Sequence, residues 1–424
     1  MTWYRTVLQS LEVSKKTKQD LQRDLIQSRA VISSAKHKHL VLEWSTGCGK
    51  SLASIKIIEA ILKHNPSATG YIVCKESTHK KNWIDDVKKH GYGHILNNIT
   101  LLLYASAKKM SKCDFIILDE CHGLTPKRMA VIKNFVDKNT AVIYLSATIE
   151  KQKKYLISEI ARYTEKYYKI SLLKAIELEL LPEPEIVIHR VKLENNSTRN
   201  NVFLMKKGTA TKAHKAECDY HQRWDVFGKY QNIHLSVRCN EQEYYDLITD
   251  QMNYNLEMSR SGPTAMRTPC KNKFLNLGSK RKKFIAKAKS SKARRLVEEF
   301  RSESYRFVCF TGSIEQSVML GSESSVNSKN SKEYNQELID CFNRQDCSEL
   351  FAVKMLRESV NLTDIQKGIV VQLDSTIGSF YQMLGRCLRH EFPQMHLLIL
   401  EDTQDEVYFA SAMKDFDLKF IKDE

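Results

Sequence analysis

The chain has 424 residues, a formal net charge of +16 at pH 7, and 42% hydrophobic residues. That length accommodates two or three domains, and no apolar run is long enough to cross a bilayer. The eleven cysteines are scattered with no Cys-x-x-Cys pair, which fits reduced thiols in a cytosolic setting rather than a disulfide framework. Residues 1–10 lack the apolar core of a signal peptide, so no membrane and a cytoplasmic location are expected.

In chain order, residues 40–44 (Leu-Val-Leu-Glu-Trp) read as a buried strand. A glycine-containing turn follows, and Leu52, Ile55, Ile58 and Leu62 recur at helical spacing. This is the strand–loop–helix setting of a phosphate-binding loop. Gly47 and Gly49 let the backbone approach a phosphate, and the helix N-terminus adds free N–H groups and a positive dipole end. Thr46, Gly47, Cys48, Gly49, Lys50 and Ser51 are therefore the expected ATP-binding residues. Lys50 suits the β- and γ-phosphates, and Ser51 suits Mg2+. Trp44 stands where the general pattern has its first glycine.

Residues 115–118 (Phe-Ile-Ile-Leu) predict a second buried strand, ending in Asp119-Glu120. Carboxylates at a strand's C-terminal end lie where α/β sheets bind ligands. Asp119 suits the magnesium shell, and Glu120 suits a base that orients the attacking water. His122 is either a coupling residue or a polar turn residue. Residues 141–145 predict a third strand, followed by Ser146-Ala147-Thr148, whose hydroxyls can bond the Asp-Glu loop.

The second half repeats the βα alternation without a phosphate-binding loop. Strands are expected at 306–310, 350–356 and 368–373, separated by helical stretches, which implies a parallel sheet. Gln382, Gly385, Arg386 and Arg389 fall at i, i+3, i+4 and i+7, on one helical face. Two arginines on one stripe suit transition-state charge on a transferring phosphoryl group.

These blocks, in this order, resemble the motifs of superfamily 2 helicases and translocases. Residues 46–51 are similar to motif I. Asp119-Glu120-Cys121-His122 is similar to motif II of the Asp-Glu-x-His subgroup, and Ser146-Ala147-Thr148 to motif III. Residues 310–313, 355–362 and 382–389 are similar to motifs IV, V and VI. The style is that of a compact bacteriophage or bacterial motor, similar to Swi/Snf-type and restriction-helicase motors. The resemblance spans about residues 22–405. It implies ATP and Mg2+ as cofactors, with Glu120, Lys50, Asp119, Gln382, Arg386 and Arg389 as the catalytic set. It also implies nucleic-acid contacts at Lys75, Tyr104 and Thr311, and an adenine-reading glutamine at Gln22 or Gln27. Glu358-Ser359 departs from the usual Glu-Gly of motif V, and Cys121 replaces the usual alanine.

Charge is unevenly placed. Residues 271–295 carry eleven basic side chains and no acidic one, leaving +5 for the other 399 residues. Lys280, Arg281, Lys282 and Lys283 lead this segment as candidates for gripping a phosphate backbone; a solvated face is the bland alternative. Phe274, Leu275, Leu277, Phe284 and Ile285 interleave, so the segment is expected to be partly packed. Residues 194–239 are polar and read as an irregular insertion, and Asn240 onward reads as a helix to 258. His214, Cys218, His221, His234 and Cys239 have a spacing that matches no zinc finger.

The expected fold is therefore α/β, with two tandem RecA-like domains of parallel sheets flanked by helices. They occupy 1–181 and 182–424, with Leu181-Pro182-Glu183-Pro184 as a stiff crossover and a polar, basic insertion at about 195–290. The expected activity is an ATP-dependent helicase on nucleic acid, DNA more than RNA. It would act as a monomer alongside replication, recombination or repair proteins. A duplex translocase without strand separation, and a nucleic-acid-binding scaffold with weak ATPase, remain open.

Overall fold

The computed structural model describes residues 17–195, 202–205, 214–230, 232–353, 362–373, 377–388, 390–414, 416 and 418–423. The first sheet is built from β1 (His39–Trp44), β2 (Gly70–Cys74), β3 (Ile99–Leu103), β4 (Phe115–Leu118), β5 (Ala141–Ser146) and β6 (Lys166–Ile170). Their order is β3-β2-β4-β5-β1-β6, and every pairing is parallel. Helices cover both faces, so β1 and β4 are buried along their whole length, and their sequences run apolar rather than alternating. Glu43 is the exception. It is buried in β1 and faces Lys154 at 3.5 Å and Lys169 at 3.8 Å.

Parallel pairing puts all strand C-termini on one edge. The loop after β1, Asp119-Glu120 after β4, and Ser146 at the end of β5 therefore share that edge. The helix Lys18–Lys36 opens with a capping box between Thr17 and Asp20. It is tied to the helix Lys50–His64 by Lys56, whose Nζ reaches Asp24 at 2.9 Å and Gln27 Oε1 at 2.7 Å.

The second sheet contains β7 (Glu185–Val191), β11 (Phe307–Phe310), β12 (Ser325–Val326), β13 (Glu349–Ala352), β14 (Lys367–Val370), β15 (Gln394–Leu400) and β16 (Ile421–Asp423). Its order is β12-β13-β11-β14-β15-β7-β16, again wholly parallel. The expected strand at 350–356 is β13, and residues 354–361, which hold most of the motif V segment and Ser359, lie outside the described residues.

The segment expected to be irregular is folded. β8 (Val202–Met205), β9 (His214–Asp219) and β10 (Ile233–Arg238) form a separate sheet with β10 in the centre. Cys218, Ile233, Leu235, Val237, Cys239 and Leu247 make its core. Two long helices, Glu241–Ser261 and Thr264–Ala288, then run antiparallel around the Gly262-Pro263 turn, and Ser290–Ser302 returns the chain to β11. Among the described residues, no helix is long and apolar enough to cross a membrane, and no group of three or more His, Cys, Asp or Glu side chains is placed to hold a metal.

One buried pair makes the second sheet sensitive to acid. His189 on β7 and His396 on β15 stack, with Nε2 and Nδ1 2.9 Å apart. Burial, then His189, Lys367 and Lys292, lower His396 to about 3. The unfolded chain takes up this proton near pH 6.5, whereas the folded chain resists until about pH 3. Stability should therefore fall as pH drops below 6.5, by up to about 1.4 kcal/mol per pH unit from this group, and level off below about pH 3. Urea unfolding midpoints between pH 7 and 5 check this. A His396→Leu variant should lose part of the slope, and an identical slope in the variant would remove the pair as the cause.

Candidate functional site

The loop between β1 and the helix Lys50–His64 is shaped by two glycines in left-handed conformations, Gly47 at φ 89° and Gly49 at φ 79°. At Gly49 a Cβ would stand 2.5 Å from Gln27 Nε2, so this glutamine lies against the loop. Gln27, 2% exposed, is thus the glutamine of the Gln22/Gln27 pair that abuts the loop. Trp44 replaces the pattern's first glycine without filling the loop. Its ring is fully buried edge-on to Tyr168, at 5.2 Å. Its carbonyl accepts from Lys50 Nζ at 2.8 Å, and Ser45 O accepts from the same ammonium at 3.3 Å. Burial pushes the Cys48 thiol up to about 11, so this cysteine stays protonated and contributes backbone rather than sulfur chemistry.

The first-turn amides of the helix Lys50–His64 have no upstream helical carbonyl to bond. With the Lys50 ammonium they form a cationic cradle at the sheet's C-terminal edge. Ser51 and Asp119 add oxygen donors of the kind Mg2+ takes. The chemistry of this donor set therefore fits a magnesium–nucleotide group.

Asp119 is more constrained than its motif suggests. Its Oδ2 accepts from the Trp83 indole at 2.9 Å and lies 3.3 Å from His79 Nδ1. Both partners come from the helix Ser77–Lys89. Burial lowers the pKa of His79, but hydrogen bonding and charge from Asp119, with the charges of Glu120 and Glu76, outweigh it and raise the pKa above 6.5. No sequence signal marks either residue as meeting Asp119. Their spacing of four puts them on one helical face, but nothing local shows that the face meets Asp119.

Glu120 adopts φ 48°, ψ 54°, a left-handed conformation that costs a non-glycine residue roughly 1 kcal/mol or more. It is held there by a hydrogen bond from Gly123 N to its carbonyl, at 2.8 Å. Burial raises the Glu120 carboxyl, but His122, Lys50 and His79 together bring it down to about 2. His122 is the hub of this corner. Its Nδ1 lies 3.1 Å from Glu120 Oε2 and 3.2 Å from Ser146 Oγ, and its Nε2 lies 3.3 Å from Lys75 Nζ. Ser146 Oγ in turn donates to Thr148 O at 2.8 Å. A proton on Nδ1 can go to Ser146 Oγ while Nε2 accepts from Lys75, and Glu120 Oε2, though near the ring, has no hydrogen-bond partner among the described residues. His122 thus ties the Asp-Glu loop to Ser146 at the end of β5 and to Lys75 after β2.

Two residues expected to contact a nucleic-acid strand are enclosed in this structure. Tyr104 is 3% exposed, and its hydroxyl donates to Asp119 O at 3.1 Å. Thr311 is fully buried, with Oγ1 donating to Ser313 O at 3.2 Å. Each hydroxyl thus bonds a loop carbonyl. Lys75 remains half-buried beside His122.

From the second sheet, the helix Ile377–Cys387 carries Gln382 and the largely buried Arg386; Arg389 lies outside the described residues. Gly385 on this helix approaches the phosphate-binding loop so closely that a Cβ there would be 2.9 Å from Thr46 Cβ. The linker closes on the same loop, since a Cβ at Gly47 would meet Leu181 at 2.8 Å, and Arg23 donates to Leu180 O at 2.9 Å.

The basic segment divides by contact. Lys280 lies 5.3 Å from the Tyr244 ring. Arg281 lies 5.8 Å from the Tyr245 ring and donates to Thr249 Oγ1 at 3.2 Å. Lys282 lies 6.0 Å from the Tyr408 ring. Lys289, counted among the eleven basic residues, is enclosed against Asp405 and is no part of a surface.

Residues 279–391 match the family model for the helicase conserved C-terminal domain. No curated protein matches the chain. Among solved structures, the helicase domain of Pyrococcus furiosus Hef has a TM-score of 0.52 at 12% identity, over 92% of this chain and 99% of that one. S. cerevisiae Dbp5 bound to RNA and ADP BeF3 has 0.55 at 10% identity, over 94% and 89%. The DUF1998 helicase MrfA bound to DNA and AMPPNP has 0.57 at 10% identity, over 92% of this chain and 50% of that one. The chain thus has the tandem RecA-like fold of these helicases, with the helicase conserved C-terminal domain matched at residues 279–391.

Proposed function

We propose that this chain is an ATP-driven motor that moves along DNA and separates its strands. The observation that carries the proposal is the close approach of Gly385 to Thr46. It sets the helix bearing Gln382 and Arg386 against a phosphate-binding loop on the other sheet. A nucleotide held between them joins hydrolysis to lobe movement, and Mg2+ bound with it would neutralise phosphate charge. We assign the lobes to 1–181 and 182–424, with an insertion at about 195–290.

With nucleotide bound, Lys50 would hold phosphate oxygens in place of its loop carbonyls, and Ser51 and Asp119 would hold the metal. Glu120, held near 2, stays ionised and is a weak proton acceptor, so its task is to orient the attacking water. Arg386 and Arg389 meet developing charge. All eleven cysteines are free thiols, in keeping with a reducing cytosol, where replication, recombination or repair proteins are the partners.

The strand-gripping face is the exposed stripe of Lys273, Lys280, Lys283 and Lys287 on the helix Thr264–Ala288. At 100° per residue they fall within about 80° and span about 21 Å. Changing these four to Ser should weaken binding and reduce its salt slope by roughly 0.7 per lost single-strand contact, or 0.9 for duplex. Changing Arg281 and Lys282, which face Tyr245 and Tyr408, should leave the slope nearly as it was. Equal slopes for all three proteins would return the stripe to a solvated face.

The deciding experiment compares ATP turnover with single-stranded DNA, duplex DNA, forked DNA and RNA, and follows unwinding of the fork. Stimulation by duplex without unwinding makes the chain a translocase. Stimulation by RNA alone overturns the choice of DNA, and no turnover with any of them overturns the motor.

A further inference from the structure

The lysine-bearing helix Thr264–Ala288 meets the helix Ser290–Ser302 at Lys289. This lysine and Asp405 are both fully enclosed and form an ion pair. Lys289 Nζ also donates to Leu398 O at 2.9 Å. Asp405 accepts from Gln372 Nε2 at 3.1 Å and from Leu400 N at 3.2 Å. Gln316 holds the same joint from another side. Its Nε2 donates to Ala286 O at 2.6 Å and to Ser290 Oγ at 2.8 Å, while its Oε1 accepts from Gly312 N at 2.9 Å. There is no slack here, since a Cβ at Gly312 would lie 2.3 Å from Ala286 Cβ and 3.3 Å from Gln372 Cβ.

Stability is a poor reason for such a pair, because well-packed apolar replacements of buried ion pairs are often neutral or stabilising. What the pair does provide is one fixed geometry among three segments. These are the end of the lysine helix, β15 with the helix Gln404–Met413 that follows it, and Gln372, while Gln316 ties the loop after β11 to the same joint. Gln372 lies between β14 and the helix Ile377–Cys387, whose Gly385 abuts Thr46. Asp405 also lies in the helix Gln404–Met413, which packs on the helix Ile377–Cys387, so a packed route leads from the lysine helix through Asp405 to the helix that abuts the loop at Thr46.

We infer that the Lys289–Asp405 pair, clamped by Gln316, is the joint through which a phosphate backbone on the lysine stripe sets the position of the helix bearing Gln382 and Arg386. The inference rests on the function proposed above. Lys289, Asp405 and Gln316 are positioning residues, which touch neither nucleotide nor strand.

The test uses the full chain and compares ATP turnover with and without single-stranded DNA, together with DNA affinity. Lys289→Met combined with Asp405→Leu removes both charges, so neither is left buried alone. Basal turnover and DNA affinity should stay as in the unaltered chain, while the stimulation factor falls at least about fivefold, the low end of measured coupling between sites. Full stimulation in the folded double variant overturns the inference. Should the double variant not fold, Gln316→Ala decides, because it loosens the joint and keeps the ion pair. Reduced stimulation supports the inference, and full stimulation overturns it. An unaltered chain that hydrolyses ATP with no response to any nucleic acid overturns the proposed function itself, a failure visible before any variant is made.

Discussion

Glu120→Gln should abolish ATP turnover and leave nucleotide binding intact. The amide keeps the shape of the carboxylate and can keep the left-handed backbone that Gly123 N stabilises. It removes the negative charge that orients the water, and it alters the contact with His122 at 3.1 Å. Lys50→Ala has a different signature, losing both binding and turnover, because the ammonium now spanning Trp44 O and Ser45 O is the cradle's own cation. Radiolabelled or fluorescent nucleotide binding, measured beside phosphate release, separates the two. Turnover by Glu120→Gln within about threefold of the unaltered enzyme, well under the 1.36 kcal/mol that marks a tenfold change, would end the assignment.

Arg386→Ala should lower turnover by about 10³-fold or more, the scale on which an arginine acts on phosphoryl-transfer charge, with a much smaller change in nucleotide affinity. The same pattern is expected for Arg389→Ala. Arg386 is nearly enclosed on a helix packed against Thr46, so a lysine cannot reproduce its planar fork there, and Arg386→Lys should also fail. The opposite result, weaker binding with normal turnover at saturation, would make Arg386 a ground-state contact only.

The phosphate-binding and Asp-Glu loops were legible because each follows a strand buried on both faces, where an unbroken apolar run marks the element and its end marks the site. The small sheet of the insertion was missed although its signal was present. Residues 233–238 alternate Ile-His-Leu-Ser-Val-Arg, the period-two pattern of a half-covered strand. Average polarity over 194–239 concealed it. The enclosure of Tyr104 and Thr311 was illegible for another reason. Motif position fixes which loop a residue belongs to, but not whether its side chain points inward. The Trp83 and His79 contacts with Asp119 depend on how a helix lies over the sheet, which no local pattern encodes. Lys289 looked like one more surface lysine, because its partner Asp405 lies more than a hundred residues away.

β7 occupies an interior position in the second sheet, between β15 and β16. Its partners Leu397 and Ile421 follow Ile188 and Ile186 by roughly 200 residues or more. At a synthesis rate of about 5–20 residues per second, β7 leaves the ribosome some 10–40 s before either neighbour exists. In the first sheet the longest such wait is about half as long, since β5 and β6 follow β1 by roughly 100–125 residues. During the longer interval an apolar strand with two open edges is a template for pairing with other nascent chains. Slow refolding, chaperone dependence and aggregation on overexpression should therefore trace to the second sheet, and the first should form early and alone.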